Sequence, residues 1–137
     1  MSDNKVLRKI RNEIIDCGKD TRYKLGGYTF VLNGLEYFLT GLGEKRHVTG
    51  QELSAGLAEF AYTQYGVMAH DTLHHWGIES TNDFGYVVYN LIAIELMSRR
   101  EEDSLEDFFG VFDLADYFRN KEPFKIDFEY VRRVRGA

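Results

Sequence analysis

Cysteine and proline are nearly absent from this chain of 137 residues, which has one of each, Cys17 and Pro123. A single cysteine excludes an internal disulfide, and alone it cannot form a thiolate metal site. A single proline, near the C-terminal end, leaves most of the chain free to form long helices. The sequence also lacks the run of ~18–20 apolar residues that a membrane span needs, and no apolar signal core follows its polar start. These absences predict a cytoplasmic protein with no membrane segment.

Positive charge is scarce between residues 49 and 118. Residues 49–118 contain thirteen acidic side chains and two basic ones, Arg99 and Arg100, a balance of −11. Because the net charge of the whole chain is −5, the other residues together carry a balance of +6. The hydrophobic content of 44% and the aromatic content of 15% are those of a globular protein. The length predicts a single domain.

Apolar residues recur at helical spacing in the first third of the chain. This spacing predicts a helix from Asp3 to Cys17 with a basic outer face, and Gly18 is a natural end for it. Residues 28–42 also follow helical spacing over about four turns. Asn33-Gly34 within them is, however, a strong signal for a two-residue hairpin turn. Since the helical stripe is longer than the alternation on either side of that turn, we expect a helix.

Three more helices are predicted from residue 49 onward. Thr49 is a suitable N-cap for the first, with Glu52 placed to complete a capping box, and Gly66 ends it. The second helix is short, over residues 67–76. Ser80 is the expected cap of the third, which reaches about residue 94 and is apolar enough to form the centre of the core.

A β-hairpin is predicted after the third helix. It runs from about Ile94 to Phe112 around the acidic turn Glu101-Glu102-Asp103, and Asp113 could cap a short helix through Phe118. Three helices followed by a hairpin is the order of a winged-helix module. The predicted fold is therefore α+β, mainly α with a small β component, in one domain. Its parts are N-terminal helices over 1–48, a winged-helix-like acidic unit over 49–118, and a C-terminal strand and tail over 119–137, where residues 124–130 alternate between apolar and polar.

Several short phrases together suggest a relationship with a known family. They are Arg46-His47-Val48-Thr49-Gly50-Gln51-Glu52-Leu53, Trp76-Gly77-Ile78, Asp83-Phe84-Gly85, Glu102-Asp103-Ser104 and Val111-Phe112-Asp113. Over residues 22–118 the chain resembles an uncharacterised small bacterial family that is largely restricted to Verrucomicrobia and Planctomycetes. No activity, cofactor or site is known for that family, so the resemblance implies none here. The position of His75 matches the family's pattern, whereas His70 and His74 lie outside it.

The sharpest chemical signal is His70-Asp71-Thr72-Leu73-His74. Two histidines four apart on a helix point the same way and can share a metal, and Asp71 lies where a zinc protease carries its glutamate. Aspartate is one methylene shorter, however, and would not reach a metal-bound water as a base. A third ligand is also missing, unless His47 or a distant carboxylate is brought close. We expect both histidines to be exposed, and at most weak or adventitious zinc or nickel there. No cofactor is predicted, and a metal-dependent hydrolase built on this helix face is the alternative function.

Arg46 and His47 form a possible anion site. They precede a helix N-terminus, whose N–H groups and dipole can hold a phosphate or carboxylate. Thr49 and Glu52 would already use some of those donors, so an ordinary basic loop is the competing interpretation.

Nucleic acid is not the expected partner. A DNA-binding winged helix presents Lys and Arg from its third helix, because the phosphates attract them. Here that helix has no basic residue before Arg99, and the predicted hairpin turn is acidic. The second alternative function is weak nucleic-acid binding through the basic first helix or the tail.

Tyrosines are the main candidates for a protein interface. Tyr62, Tyr65, Tyr86 and Tyr89 are spaced to lie partly outward on two capped helices, and exposed aromatic residues are enriched at interfaces. The competing interpretation is that they border the core with their hydroxyls in water. We predict a non-catalytic protein-interaction or regulatory module, with no catalytic residue and with an unidentified protein partner or a second copy of the chain.

Overall fold

Every regular element in the described part of the chain is helical. The computed structural model describes residues 2–43 and 46–121. Its α-helices are α1 (Ser2–Ile10), α2 (Leu25–Leu42), α3 (Gly50–Tyr65), α4 (Ala69–His75), α5 (Thr81–Ala93) and α6 (Leu114–Lys121). A π-helical turn, Arg11–Ile15, continues α1, and two 3-10 turns, Gly66–Met68 and Leu105–Phe108, lie before α4 and after α5. None of the described helices is long and apolar enough to span a bilayer.

The centre of the fold is formed by α2, α3 and α5. α2 and α3 run antiparallel, because Gly34 lies against Phe60 whereas Phe38, one turn later in α2, lies against Gly56. α5 contributes the fully buried side chain of Phe84 to the same interior. One apolar cluster includes both Ile10 and Phe118. The first and last helices of the described chain, α1 and α6, therefore both pack against this centre.

The helix predicted over residues 28–42 is confirmed, since α2 spans Leu25–Leu42. Asn33-Gly34 makes no turn there. A Cβ on Gly34 would lie 2.5 Å from Cδ2 of Leu57, so this glycine allows α2 and α3 to approach closely. The residue that resembled a hairpin signal is therefore a helix-packing residue.

The predicted helix starts are also confirmed. Thr49 and Glu52 form the expected capping box: Oγ1 of Thr49 accepts from the Glu52 N–H at 3.1 Å, and Oε1 of Glu52 accepts from the Thr49 N–H at 3.0 Å. At the start of α5 the Asp83 carboxylate accepts from the Ser80 N–H at 3.2 Å. At the start of α6, Oδ1 of Asp113 accepts from the Asp116 N–H at 2.9 Å. Short-range polar patterns therefore located these helix ends correctly.

The predicted α+β fold is wrong, because residues 94–112 form no hairpin and the described residues contain no strand. A winged-helix-like arrangement is thereby ruled out for this part of the chain. After α5 the chain passes through Glu95, whose φ of 66° lies in the left-handed region. It then reaches a turn at residues 101–102 and the 3-10 turn Leu105–Phe108.

Hydrogen bonds to side chains explain why the hairpin does not form. The Asp103 carboxylate accepts from the Arg100 N–H at 2.7 Å, and the Asp107 carboxylate accepts from the Ser104 N–H at 3.1 Å. In the expected return strand, the Val111 N–H is taken by Oγ1 of Thr81 at 3.2 Å. These backbone donors are bonded to side chains and are not available for a β-ladder. The predicted C-terminal strand, residues 124–130, lies outside the described residues.

Candidate functional site

A cleft of about 300 Å³ opens between the second half of α2, the start of α3, the second half of α5 and residues 97–108. We call it the Tyr89 cleft. Its apolar lining consists of Leu35, Leu39, Val48, Leu53, Val88, Ile92, Met97 and Phe108. Its polar lining includes Arg46, His47, Tyr89, Arg99, Arg100, Asp103 and Asp107. The three arginines are exposed and border its mouth.

Phe108 forms one wall of the cleft because two glycines leave room for it. A Cβ on Gly50, the first residue of α3, would lie 3.1 Å from Cδ2 of Phe108. A Cβ on Gly85 of α5 would lie 2.8 Å from Cβ of Phe108. The 3-10 turn Leu105–Phe108 therefore docks across both helices, and Phe108 is 4% exposed. This contact holds the segment between α5 and α6 over the cleft.

A hydrogen bond between His47 and Asp103 joins the loop before α3 to the segment after α5 at the mouth of the cleft. Nε2 of His47 lies 2.7 Å from Oδ1 of Asp103, across 56 residues of sequence. Burial would raise the pKa of the Asp103 carboxyl, but its hydrogen bonds with the Arg100 N–H and with His47 outweigh this and lower it. Both residues belong to phrases that carried the family resemblance, so the fold brings two of those phrases together.

Arg46 is bound to the first turn of α3. Its NH2 and NH1 atoms lie 2.9 Å and 3.2 Å from the two carboxylate oxygens of Glu52, and NH1 also donates to the His47 carbonyl. The hydrogen bonds from Arg46, and then from the Thr49 N–H, lower the pKa of Glu52 to about 2. Both residues of the predicted anion site thus line the cleft, and each already contacts a carboxylate of the chain itself. Anion binding by this pair stays a prediction.

Tyr89 carries an unusual buried hydroxyl. Its oxygen is buried and has no hydrogen-bond partner within residues 2–43 and 46–121. Burial raises the pKa of this hydroxyl. The guanidinium carbon of Arg99 lies 5.9 Å from the ring centroid, and NH1 of Arg99 donates to the Asp103 carbonyl at 2.8 Å. A buried polar atom without a partner costs stability, and this one belongs to a residue in the wall of the cleft.

The other three tyrosines predicted at an interface lie elsewhere. Tyr65 packs on Trp76, with ring centroids 5.8 Å apart. Tyr86 lies under the Arg22 guanidinium, whose carbon is 4.2 Å from the ring centroid. Tyr62 is half-buried against the core. Of the four tyrosines, Tyr89 alone lines the cleft. Their spacing in the sequence does not distinguish it from the other three.

The predicted metal residues are not gathered into a ligand set. His70 is half-buried, with its ring 5.9 Å from that of Phe118, although it was expected to be exposed. The His74 side chain is 68% exposed, and its Nδ1 lies 3.8 Å from a Glu79 oxygen. His47, considered as a third ligand, is paired with Asp103. In the part of the chain that the structure describes, no group of three His, Cys, Asp or Glu side chains could hold a metal ion.

A second polar cluster, which sequence patterns did not reveal, fastens the segment before α2 to α5. The Asp20 carboxylate accepts from Nε and NH2 of Arg22 at 3.0 and 2.7 Å, and from Nδ2 of Asn90 at 2.8 Å. Burial would raise the pKa of Asp20, but the hydrogen bonds from Arg22 and Asn90 bring it down to about 2. Nearby, the Tyr23 hydroxyl donates to Oδ1 of Asp83 at 2.5 Å. The bonds from Asn90 to Asp20 and from Tyr23 to Asp83 are structural, because each joins two distant parts of the chain.

No known family model, curated protein or solved structure matches this chain. The described residues define a helical protein with an apolar cleft bordered by arginines. The resemblance to a bacterial family, which rests on short phrases, stays a prediction.

Proposed function

We propose that the protein is a non-catalytic protein-interaction module that binds a partner through the Tyr89 cleft and the adjoining face of α2. The observation that supports this most directly is an apolar helix face that continues into a cleft. A cytoplasmic location is part of the proposal, because Cys17 is an exposed free thiol and such thiols persist in reducing compartments.

The outer face of α2 is unusually apolar for a surface helix. Glu36 is the one charged side chain among the 18 residues of α2. Leu32, Leu35 and Leu39, at helical spacing, are half-buried and line a shallow groove along this helix. A surface helix normally carries polar residues on its outer face, and a continuous exposed apolar strip is typical of a binding surface.

The groove and the cleft form one continuous surface. Leu35, Leu39 and Arg46 line both of them. A partner segment could lie along α2 and place one apolar side chain in the cleft, as in recognition of a peptide or helix by a groove. This shape supports binding of a protein segment.

Two basic groups at the cleft are paired with carboxylates of the chain. Nε2 of His47 contacts Asp103, and the Arg46 guanidinium contacts Glu52. These pairs support the walls of the cleft.

The proposal is tested by affinity capture with matched variants. The Leu32→Lys/Leu39→Lys double variant places charge on the groove, and the control Thr63→Lys/Gln64→Lys places the same charge on exposed positions of α3. Circular dichroism confirms that both variants are folded. We expect a partner that wild type and control retain, that the groove variant loses, and that binds the wild-type chain directly once purified. If all three chains capture the same proteins, the proposal is wrong.

A further inference from the structure

We infer that the segment bound in the Tyr89 cleft is an acidic peptide stretch of the partner, with an apolar side chain flanked by carboxylates. This inference rests on the proposed function, because it specifies the partner of the same cleft. It follows from where residues 46–118 place their few positive charges.

All the Lys and Arg residues between positions 46 and 118 lie at this cleft. The sequence has three of them there, Arg46, Arg99 and Arg100, and all three line the cleft. The same stretch holds thirteen acidic residues from position 49 onward. Within a stretch that is otherwise acidic, three guanidinium groups therefore meet at one cleft, and guanidinium groups attract a segment of opposite charge.

Arg100 is the side chain best placed to contact a bound carboxylate. It is 60% exposed, and its NH1 lies 4.0 Å from the nearest oxygen of Glu102. An exposed ion pair at this distance contributes little. Arg100 can therefore exchange Glu102 for a ligand carboxylate at small cost, and it can hold that carboxylate with two parallel N–H bonds.

Two carboxylates also line the cleft, and both are turned toward the chain's own donors. Asp103 accepts from the Arg100 N–H and pairs with His47. Asp107 accepts from the Ser104 N–H at 3.1 Å. These hydrogen bonds hold both carboxylates against the chain, whereas the guanidinium of Arg100 is exposed at the mouth.

The interior of the cleft suits an apolar side chain. Leu35, Ile92 and Met97 provide its surface, and methionine adapts readily to ligands of different shape.

The test uses pools of capped nine-residue peptides with leucine or phenylalanine at alternate positions. Three pools differ only in the remaining positions, which are Glu, Gln or Lys. Each pool is titrated at low salt into the full ¹⁵N-labelled chain. We expect the Glu pool to bind at least tenfold more tightly than the Gln pool, and to shift the amide signals of residues 46–50 and 97–104. Equal binding of the pools, or no binding by any of them, overturns the inference.

Substitutions at the cleft mouth distinguish an effect of local charge from an effect on folding. Arg100→Gln should reduce the preference for the Glu pool at least fivefold, and Arg100→Lys, which keeps the charge but not the two parallel N–H bonds, should retain part of it. Arg119→Gln on α6 removes the same charge from a position that is 62% exposed and does not line the cleft. This control should bind as the wild type does. If Arg119→Gln loses the preference as Arg100→Gln does, the effect is one of net charge and the inference is wrong.

Two further outcomes distinguish the inference from the proposal on which it rests. Octanoate serves as a probe for a small amphiphilic acid; if it shifts the same amides and no peptide pool does, the peptide inference is overturned. If a captured partner is lost on the leucine double variant but is unaffected by Arg100→Gln, the protein-interaction function stands and the acidic segment does not. If the leucine variant captures the same proteins as the wild type, the proposed function itself fails.

Discussion

Gly77 holds the end of α4 against the segment that leads into α2. Its φ is 93°, in the left-handed region, and a Cβ at this position would collide with the backbone carbonyl oxygen of Arg22. We expect Gly77→Ala to lower the free energy of unfolding by about 1–2 kcal/mol for the backbone conformation and by roughly 1–3 kcal/mol more for the collision. Gly18→Ala is the matched control, because Gly18 has a φ of 73° and no atom within 4 Å of its added Cβ. Equal losses for the two variants in urea unfolding would contradict this explanation.

The Asp20 carboxyl makes the free energy of unfolding depend on pH in the acidic range. Its folded pKa of about 2 lies below the usual 3.8, so its contribution is fully present above about pH 4 and is lost as the pH falls to 2. At neutral pH we expect Asp20→Asn to cost about 2 kcal/mol. The cost should fall to well below about 1 kcal/mol near pH 2, where half of the wild-type carboxyl groups are protonated. Urea unfolding from pH 2 to 7 measures the cost of Asp20→Asn and its dependence on pH.

Asp116→Asn, at an ion pair whose aspartate is 60% exposed, should change the free energy of unfolding by less than about 1 kcal/mol throughout this pH range. A cost for Asp20→Asn that is the same at pH 2 and pH 7 would refute the assignment.

Within one element, α2 allows a clean test of helix packing. Gly34 and Gly41 are both helical, but a Cβ on Gly34 would lie 2.5 Å from Leu57, whereas nothing lies within 4 Å of one on Gly41. Gly41→Ala should stabilise the protein by about 0.5–1 kcal/mol, through helix propensity alone. Gly34→Ala should destabilise it by roughly 1–3 kcal/mol, because α2 and α3 must separate. Thermal unfolding of both variants checks the opposite signs. A stabilised Gly34→Ala would mean that the two helices are not closely packed.

Helices were predictable from the sequence because their signals are local. A capping box such as that of Thr49 and Glu52 spans four residues, and a long apolar stripe such as that of α2 repeats its information at every turn. The segment over residues 94–112 was mispredicted because its conformation depends on contacts with residues that are distant in the sequence. The Val111 N–H is bonded to Thr81, thirty residues away, and Phe108 docks against Gly50 and Gly85. No pattern of adjacent residues encodes such contacts.

At the scale of the whole molecule, the site could be predicted only in part. Arg46, His47 and Tyr89 were candidates from the sequence, and all three line the cleft. Their grouping was not foreseen, since it depends on a contact between His47 and Asp103 across 56 residues. The strongest chemical signal in the sequence, His70 and His74, proved the least informative, because helical spacing alone does not supply a third ligand.

Phe108 also connects the cleft to the stability of the whole fold. Phe108 can form the cleft wall only when α3 and α5 are packed together, because it contacts a glycine of each helix. We expect Phe108→Ala to cost about 3–5 kcal/mol, and to increase amide hydrogen exchange of residues 97–104 more than that of the α2 interior. Phe109→Ala, at a side chain that is 37% exposed, should cost clearly less. Uniformly faster exchange in the Phe108→Ala protein would show that the 97–104 segment does not open by itself.

The two glycines that receive Phe108 also bear on the order in which the molecule assembles. Gly50 lies at the start of α3 and Gly85 in the first half of α5, so the recess for Phe108 exists only after these helices have met. The segment over the cleft should therefore become ordered late in folding and detach early under denaturing stress. A partner that binds the cleft would then do more than occupy a surface. It would shift the equilibrium toward the fully assembled state, and its occupancy would raise the melting temperature of the whole protein.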